Sequence, residues 1–562
     1  MSDLLSLSPM LACAFTGLLV MALDLLTGTG RKPFLAWVTA AGFAVSGALA
    51  LGLWQAPVAL HAPFLSGVLA IDPHGAFFTG VILLSGVLAA LLAADYLPEQ
   101  GIDGGEVYSL LAFSVTGAIL LVIATDLVTL FLGLEIMSLA LYVLAAGKRA
   151  SPFAAEAGIK YLLLGGVASA FLLMGVAFLY GATGSLDLAA IGRLLAAGGP
   201  GIDPLLVQGA MVLLIVALGF KVAAVPFHFW TPDVYEGAPT PVTAFMAGAV
   251  KAAAFAVLAR VVLTLARAPV LAGLDVSTGD LLLGLSVLSM VVGNVLGIVQ
   301  DNVKRILAYS SIAHAGYLLL GVWATQSLAG APGVQTLNEA VPFYLLAYAI
   351  ATVGAFGVLA LLGRAGEEDL SLPRIAGLGR RHPALGAALL VSVLSLAGLP
   401  PLGGFLAKFH LFQQVLIAAP DRALPWVVLA VLASVVALYY YLRILLYAYF
   451  REPEDTPAQA IPGAAGTLAL AAVVVLTLVL GVAPGRFLVA SRSAAQAAVL
   501  SPSAVVAPAP ATPTAADPSR VAGSPPVRPR LPEALNPRLR PLMPLPAPSP
   551  ASRQTLVEPG AR

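Results

Sequence analysis

Four ionisable side chains stand where an otherwise apolar chain would be expected to hold none. Glu135 lies in DLVTLFLGLEIMSLALYVLAAGKR, between Asp126 and Lys148. Lys221 and Lys251 bound the stretch KVAAVPFHFWTPDVYEGAPTPVTAFMAGAVK, and Lys408 sits in LSLAGLPPLGGFLAKFHLF. A helix rises about 1.5 Å per residue, which puts Glu135 roughly 13 Å from Asp126 and roughly 20 Å from Lys148. By the same rise Lys251 is about 15 Å past Pro241 and about 13 Å short of Arg260. A short carboxylate at such depth cannot reach a polar surface. Burial favours the neutral form of an amine and a nearby carboxylate restores its charge, so a row of such groups can take up and release protons as a neighbouring charge moves. The competing reading is structural: a hydrogen-bonded packing role for Glu135, a static ion pair for Lys251, and stems stretched to a helix end for Lys221 and Lys408.

Weaker candidates surround these four. Lys160, in AGIKYLLLGG, is placed either to snorkel from the start of its helix or to join the relay. His314, in YSSIAHAGYLLL, has Ser310, Ser311 and Tyr317 at helical spacing, which suits either a neutral ring bonded to those hydroxyls or a proton carrier. His228 and His410 flank two proline breaks, where capping and proton transfer are both open roles. Asp233 and Glu236, in FWTPDVYEGAPTP, read as carboxylates of a solvated loop.

The elements that must position these groups are membrane helices. The chain has 562 residues, 59% of them hydrophobic and 10% charged, with a mean hydropathy of +0.95. Soluble globular domains do not reach such values. A span needs roughly 20 mostly apolar residues, and about 14 such spans run from 9-27 to 464-484, giving an all-α polytopic membrane protein. Span 7 (204-228) is interrupted at Pro226, and span 12 (386-418) at Pro400, Pro401, Gly403 and Gly404. Proline removes a helical hydrogen bond, and backbone freed at membrane depth must be satisfied by protein or water, so each break marks a protein-lined site. Two broken spans five apart, each with a lysine, point to an internal repeat. The predicted units are 1-106 (spans 1 to 3), 107-266 (spans 4 to 8), 279-448 (spans 9 to 13), 464-500 (span 14 and a short extension), and a Pro- and Ala-rich tail, 501-562, with too little apolar patterning for a core.

Basic residues orient the spans. Odd-numbered loops hold Arg31, Lys32, Lys148, Arg149, Lys304, Arg305, Arg364, Arg374, Arg380, Arg381 and Arg451, whereas even-numbered loops hold Arg193, Arg267 and Arg422. Odd loops are thus expected on the cytoplasmic side and both termini on the periplasmic side. The N-terminal segment lacks the basic start of a cleaved signal and reads as a retained span. A single cysteine, Cys13, offers no disulfide framework and no iron–sulfur or zinc cluster, so no cofactor and no metal are expected in this chain. The formal charge of +1 does not favour nucleic acid.

Four stretches, LGLEIMSLALYVLAA, FKVAAVPFHFWTPDVYEGAPTPVTAFMAGAVKAAAF, QDNVKRILAYSSIAHAGYLLLG and LAGLPPLGGFLAKFHLF, resemble in content and order subunit N of bacterial NADH:quinone oxidoreductase, respiratory complex I. The likeness covers roughly residues 10 to 490. TPDVYEGAPTPVTAF and a lysine at 408 favour the N subunit over its M relative. The resemblance implies two inverted five-helix bundles, spans 4 to 8 and 9 to 13, with discontinuous spans 7 and 12. It also implies proton translocation through Glu135 with Lys221, onward through Lys251 towards His314 and Lys408, with Lys160 and His228 as secondary members. NADH and quinone would be handled by other subunits, and the partners would be antiporter-like and small membrane subunits of an inner (plasma) membrane complex. Subunits of multisubunit Na⁺/H⁺ antiporters resemble the same superfamily, and a purely structural membrane-arm role is the remaining alternative. Two departures stand out: Gly297, where a residue such as alanine is expected, and the tail after Ser501.

Overall fold

The computed structural model describes residues 2–498, apart from 29–31, 55–67, 71, 103, 199–200, 266–276, 328–336, 363–369, 454–459 and 461–462. The tail 501–562 and the loop cations Arg31, Arg267 and Arg364 lie outside the described residues.

Long apolar runs close every backbone hydrogen bond within themselves, the condition lipid imposes. The first such helices are α1 (Ser2–Leu26), α2 (Phe34–Trp54), α3 (Pro73–Glu99), α4 (Gly105–Ile123), α5 (Leu127–Ala145) and α6 (Pro152–Thr183). A short α7 (Leu188–Ala197) follows in a segment too short to read as a span, capped by Asp187 on the amide of Ala190. Next come α8 (Pro204–Val222), α9 (Trp230–Gly237), α10 (Thr240–Phe245) and α11 (Lys251–Leu265), then α12 (Thr278–Ile298), α13 (Val303–Ser327), α14 (Ala340–Ala360) and the single turn α15 (Leu378–Arg381). The chain continues through α16 (Pro383–Ala397), α17 (Gly403–Ala418), α18 (Leu424–Phe450), α19 (Ala464–Val482) and α20 (Gly485–Gln496). Among the described residues, 13 helical segments are long and apolar enough to cross a membrane, with α10 and α11 counted as one. The pair α16 and α17 supplies the fourteenth span.

Three sequence expectations change here. Span 7 is not helical to 228: α8 stops at Val222, where Ala223 turns into the left-handed region (φ 61°). FWTPDVYEGAPTP is not a plain loop, because Trp230–Gly237 closes a helix within it. The span 240-266 is not one α-helix either, since Met246–Val250 forms a π turn immediately before Lys251. An extra residue in a turn re-aims the side chain after it, and such turns recur at functional sites.

The core is formed by α3, α10–α11, α13 and α14, whose residues are almost all buried. Outer helices leave apolar side chains such as Leu163, Leu132, Val435 and Val475 exposed, as lipid-facing surfaces do. Arg260, the marker for the depth of Lys251, is itself 2% exposed and paired with Asp72 at 2.6 Å. Lys32 and Lys304, counted as loop cations, are also buried: one meets Asp24 at 2.6 Å and the other donates to the Ala238 carbonyl at 2.8 Å.

The internal repeat is visible in the backbone. Gly117 of α4 lets α5 pass so close that a methyl there would sit 2.3 Å from the Met137 amide, and Gly293 of α12 does the same for the Ala313 amide of α13 at 2.6 Å. Isolated bridges join Asp126 to Asp187 and Asn302 to Ser371. Gly117 and Gly293, like Asp126 and Asn302, are 176 residues apart (117 to 293, 126 to 302). Both breaks carry a left-handed residue three positions before a cis proline, Ala223 before Pro226 and Gly398 before Pro401. Five is an odd number of spans, so the two copies traverse the membrane in opposite senses and the repeat is inverted. With the two breaks aligned, Lys221 corresponds to Leu396, and Lys408 to Asp233. The break repeats; the lysine does not.

Candidate functional site

Lys221 ends α8 and is 3% exposed. Its ammonium donates to Ser138 Oγ at 2.8 Å and lies 5.3 Å and 5.5 Å from the ring centres of Tyr161 and Tyr142. Aromatic faces stabilise a cation without a counter-charge. Trp230, the first residue of α9, stacks on Tyr161 with an interplanar angle of 6° and ties back to the Phe220 carbonyl through its indole N–H at 3.0 Å. The chain beyond the break thus closes over the lysine before it. Glu135 makes no direct ion pair with Lys221. Its carboxylate accepts from Ser169, and it stands one helical turn before Ser138 on α5, within electrostatic reach of the lysine.

Lys251, 2% exposed, donates to both the hydroxyl and the carbonyl of Ser311 and lies 5.4 Å from the centre of the Tyr348 ring. Ser311 occupies in α13 the place that Glu135 has in α5, so the second bundle offers Lys251 a hydroxyl where the first holds a carboxylate. Tyr235 of α9 packs edge-on against Trp230, with ring centres 6.1 Å apart, and lies near Ser311. His314, 4% exposed, stands one turn further along α13 and within electrostatic reach of both Lys251 and Lys408. Its ring nitrogens do not bond to Ser310, Ser311 or Tyr317. They meet Tyr344 at 2.8 Å and Tyr441 at 3.1 Å, from α14 and α18. Lys408, 6% exposed, donates at 3.0 Å to the carbonyl of Ala397, the last residue of α16, where the helix dipole favours a cation. The Tyr317 ring lies 5.2 Å away.

The structure buries Lys221, Lys251, His314 and Lys408, leaves Glu135 half-buried, and places the other candidates in different settings. Lys160 is a half-exposed member of an ion-pair network, 2.5 Å from both Glu156 and Asp233. Arg305 bridges Asp233 at 2.8 Å and Glu236 at 2.6 Å, fastening α9 to α13. Asp233 and Glu236 are therefore paired rather than merely solvated. Sequence reasoning misses this network because its partners are some 70 residues apart, although three carboxylates and two cations near span ends are its only trace. His228 is buried against Phe229 and caps no helix; His410 faces Glu339 at 3.7 Å from within α17. Gly297, where alanine is expected, leaves room for the Tyr440 ring, which a methyl there would meet at 3.2 Å.

Partial burial pushes the Asp233 carboxyl up, but hydrogen bonds from Lys160 and Arg305 outweigh it and hold the group below its ordinary 3.8. A lowered value means stability that is present above pH 3.8 and lost as pH falls through the folded value. Asp233→Asn should therefore melt below the wild type at neutral pH, with the difference vanishing in strong acid. Thermal unfolding of the solubilised protein tests this, and an equal difference at both pH values would contradict it.

Inverted broken-helix bundles around buried lysines define the class of antiporter-like membrane subunits. The family described as NADH:quinone oxidoreductase/Mrp antiporter, TM, matches residues 124–437. NADH-quinone oxidoreductase subunit N 1 of Sorangium cellulosum is 48% identical over 424 residues, covering 75% of this chain and 82% of that protein. A chain of respiratory complex I from Thermus thermophilus, solved with bound aureothin, superposes with a TM-score of 0.69 at 37% identity, covering 85% of this chain and 98% of its own. A chain of the Mrp complex from Dietzia shares the fold, with a TM-score of 0.72 at 24% identity over 88% of this chain and 97% of its own. The chain belongs to the NADH-quinone oxidoreductase subunit N family.

Proposed function

We propose that this chain is a proton-translocating membrane subunit of an NADH:quinone oxidoreductase, with electron transfer confined to other subunits and no cofactor held here. Protons move along Glu135 and Lys221 to Lys251, then by way of His314 to Lys408. One observation carries the reading: among the described residues, Lys221, Lys251 and Lys408 each bond to a hydroxyl or a carbonyl, and none of the three sits in a salt bridge. A static ion pair would fix the charge, whereas an amine held by neutral acceptors can exist in either protonation state. This favours a relay over a merely structural role. The units 107-266 and 279-448 act as two half-channels, with odd loops on the cytoplasmic side of the plasma membrane and both termini on the other.

Inverted membrane vesicles energised with NADH should acidify their lumen equally with and without sodium. Acidification that requires sodium, or that persists without any redox partner, would overturn the proposal in favour of Na⁺/H⁺ exchange.

A further inference from the structure

Two polar nodes meet between α12, α13, α14 and α18, and they differ in one chemical respect. The first is Asn294, whose amide nitrogen donates to the Met290 carbonyl at 2.7 Å and to the Tyr317 hydroxyl at 3.3 Å, while its oxygen accepts from Tyr440 at 2.9 Å. Every amide role is thereby fixed, and an amide nitrogen does not exchange donor for acceptor. This node anchors Tyr317 beside Lys408.

The second node is His314, whose two ring nitrogens each meet a tyrosine hydroxyl, with the Leu396 backbone also beside the ring. A neutral imidazole donates from one nitrogen and accepts at the other, whereas a hydroxyl can do either. Tyr441, which meets one ring nitrogen, also bonds to Ser310. Tyr344, which meets the other, borders a cavity at the α16–α17 break lined by His314, Tyr348, Ser395, Leu396 and Gly404. The resulting chain, Tyr344–His314–Tyr441–Ser310, runs from the broken helix that carries Lys408 to the residue next to Ser311, on which Lys251 rests.

We infer that Tyr344 and Tyr441 are proton-carrying members of the route, and that His314 passes protons between them by exchanging tautomers. In one direction a proton arrives on the Tyr344 oxygen as that hydroxyl gives its own to Nδ1. The Nε2 proton passes to Tyr441, and the Tyr441 proton passes to Ser310, which releases one. At each of the four groups one bond to hydrogen forms and one breaks, so one proton enters, one leaves and no charge stays on the ring. The reverse order carries a proton the other way. The inference rests on the reading that protons cross this subunit between Lys251 and Lys408.

Native membrane vesicles carrying Tyr344→Phe or Tyr441→Phe should lose NADH-driven proton pumping by about tenfold or more, the scale of a lost proton-transfer partner, while Tyr439→Phe, on the exposed face of α18, stays within about twofold. Fluorinated tyrosine at 344 or 441 keeps ring and hydroxyl but makes the hydroxyl more acidic. It should shift the pH profile of pumping, which a residue that only holds the ring in place would not do. If a phenylalanine variant fails to assemble, the fluorinated protein decides the matter alone. Normal pumping in both phenylalanine variants, or an unshifted profile, overturns the inference provided Lys251→Ala has stopped pumping. If Lys251→Ala also pumps normally, the underlying relay falls instead.

Discussion

Lys221→Ala should reduce proton pumping by about a hundredfold, the range in which loss of a positioned acid–base group falls, while leaving the chain assembled. Assembly should survive because the substitution breaks no direct ion pair. Ser138 keeps its bond to the Leu134 carbonyl, Glu135 keeps Ser169, and Tyr161 keeps its stack on Trp230. Lys221→Arg is the sharper variant: it retains a positive charge but cannot release its proton. A site that needs only a fixed cation would tolerate arginine, whereas a relay would fail as completely as with alanine. Pumping measured against NADH oxidation in vesicles, with assembly followed on native gels, separates these outcomes. A normal ratio of protons to electrons in either variant would count against Lys221 as a carrier.

Gly404→Ala should prevent the chain from folding stably. A methyl at Gly404 would lie 1.8 Å from the carbonyl oxygen of Ser395, and the Gly404 amide already donates to the Ser395 hydroxyl at 3.1 Å. The obstacle is backbone, not the flexible end of a side chain, so α16 and α17 would have to separate. Overpacking of this kind typically costs about 1–3 kcal/mol, and backbone that cannot give way puts this site at the upper end. Gly47, where an added methyl would have no neighbour within 4 Å, provides the control. The amount of chain retained in the membrane reads the difference, and equal levels of Gly404→Ala and Gly47→Ala would contradict the packing argument.

Much of this architecture is legible in the sequence because lipid punishes unsatisfied backbone and charge so severely. Apolar run length marks the spans, prolines mark the breaks, and Glu135, Lys221, Lys251 and Lys408 stand out by depth alone. What stays hidden depends on partners far apart in the chain. Nothing local to His314 announces Tyr344 or Tyr441, since the nearer Ser310, Ser311 and Tyr317 satisfy the helical spacing equally well. The π turn before Lys251 leaves no mark in MAGAV, and the buried pairing of Arg260 with Asp72 joins residues far apart in the chain. Two lysines suggest the two-bundle repeat in the sequence, yet they are not equivalent, and its true signature is the spacing of the close-packing glycines and of the bridges at Asp126 and Asn302.

That non-equivalence has a directional consequence. Lys221 precedes its break and Lys408 follows its own, yet the two bundles face opposite ways across the bilayer. Inversion and displacement cancel, so both amines lie on the half-helix nearest the same leaflet. A strictly symmetric duplicate would have placed one on each side, making a transverse zigzag. The arrangement found here instead puts both lysine-bearing segments, α8 and α17, on the same side of the two breaks.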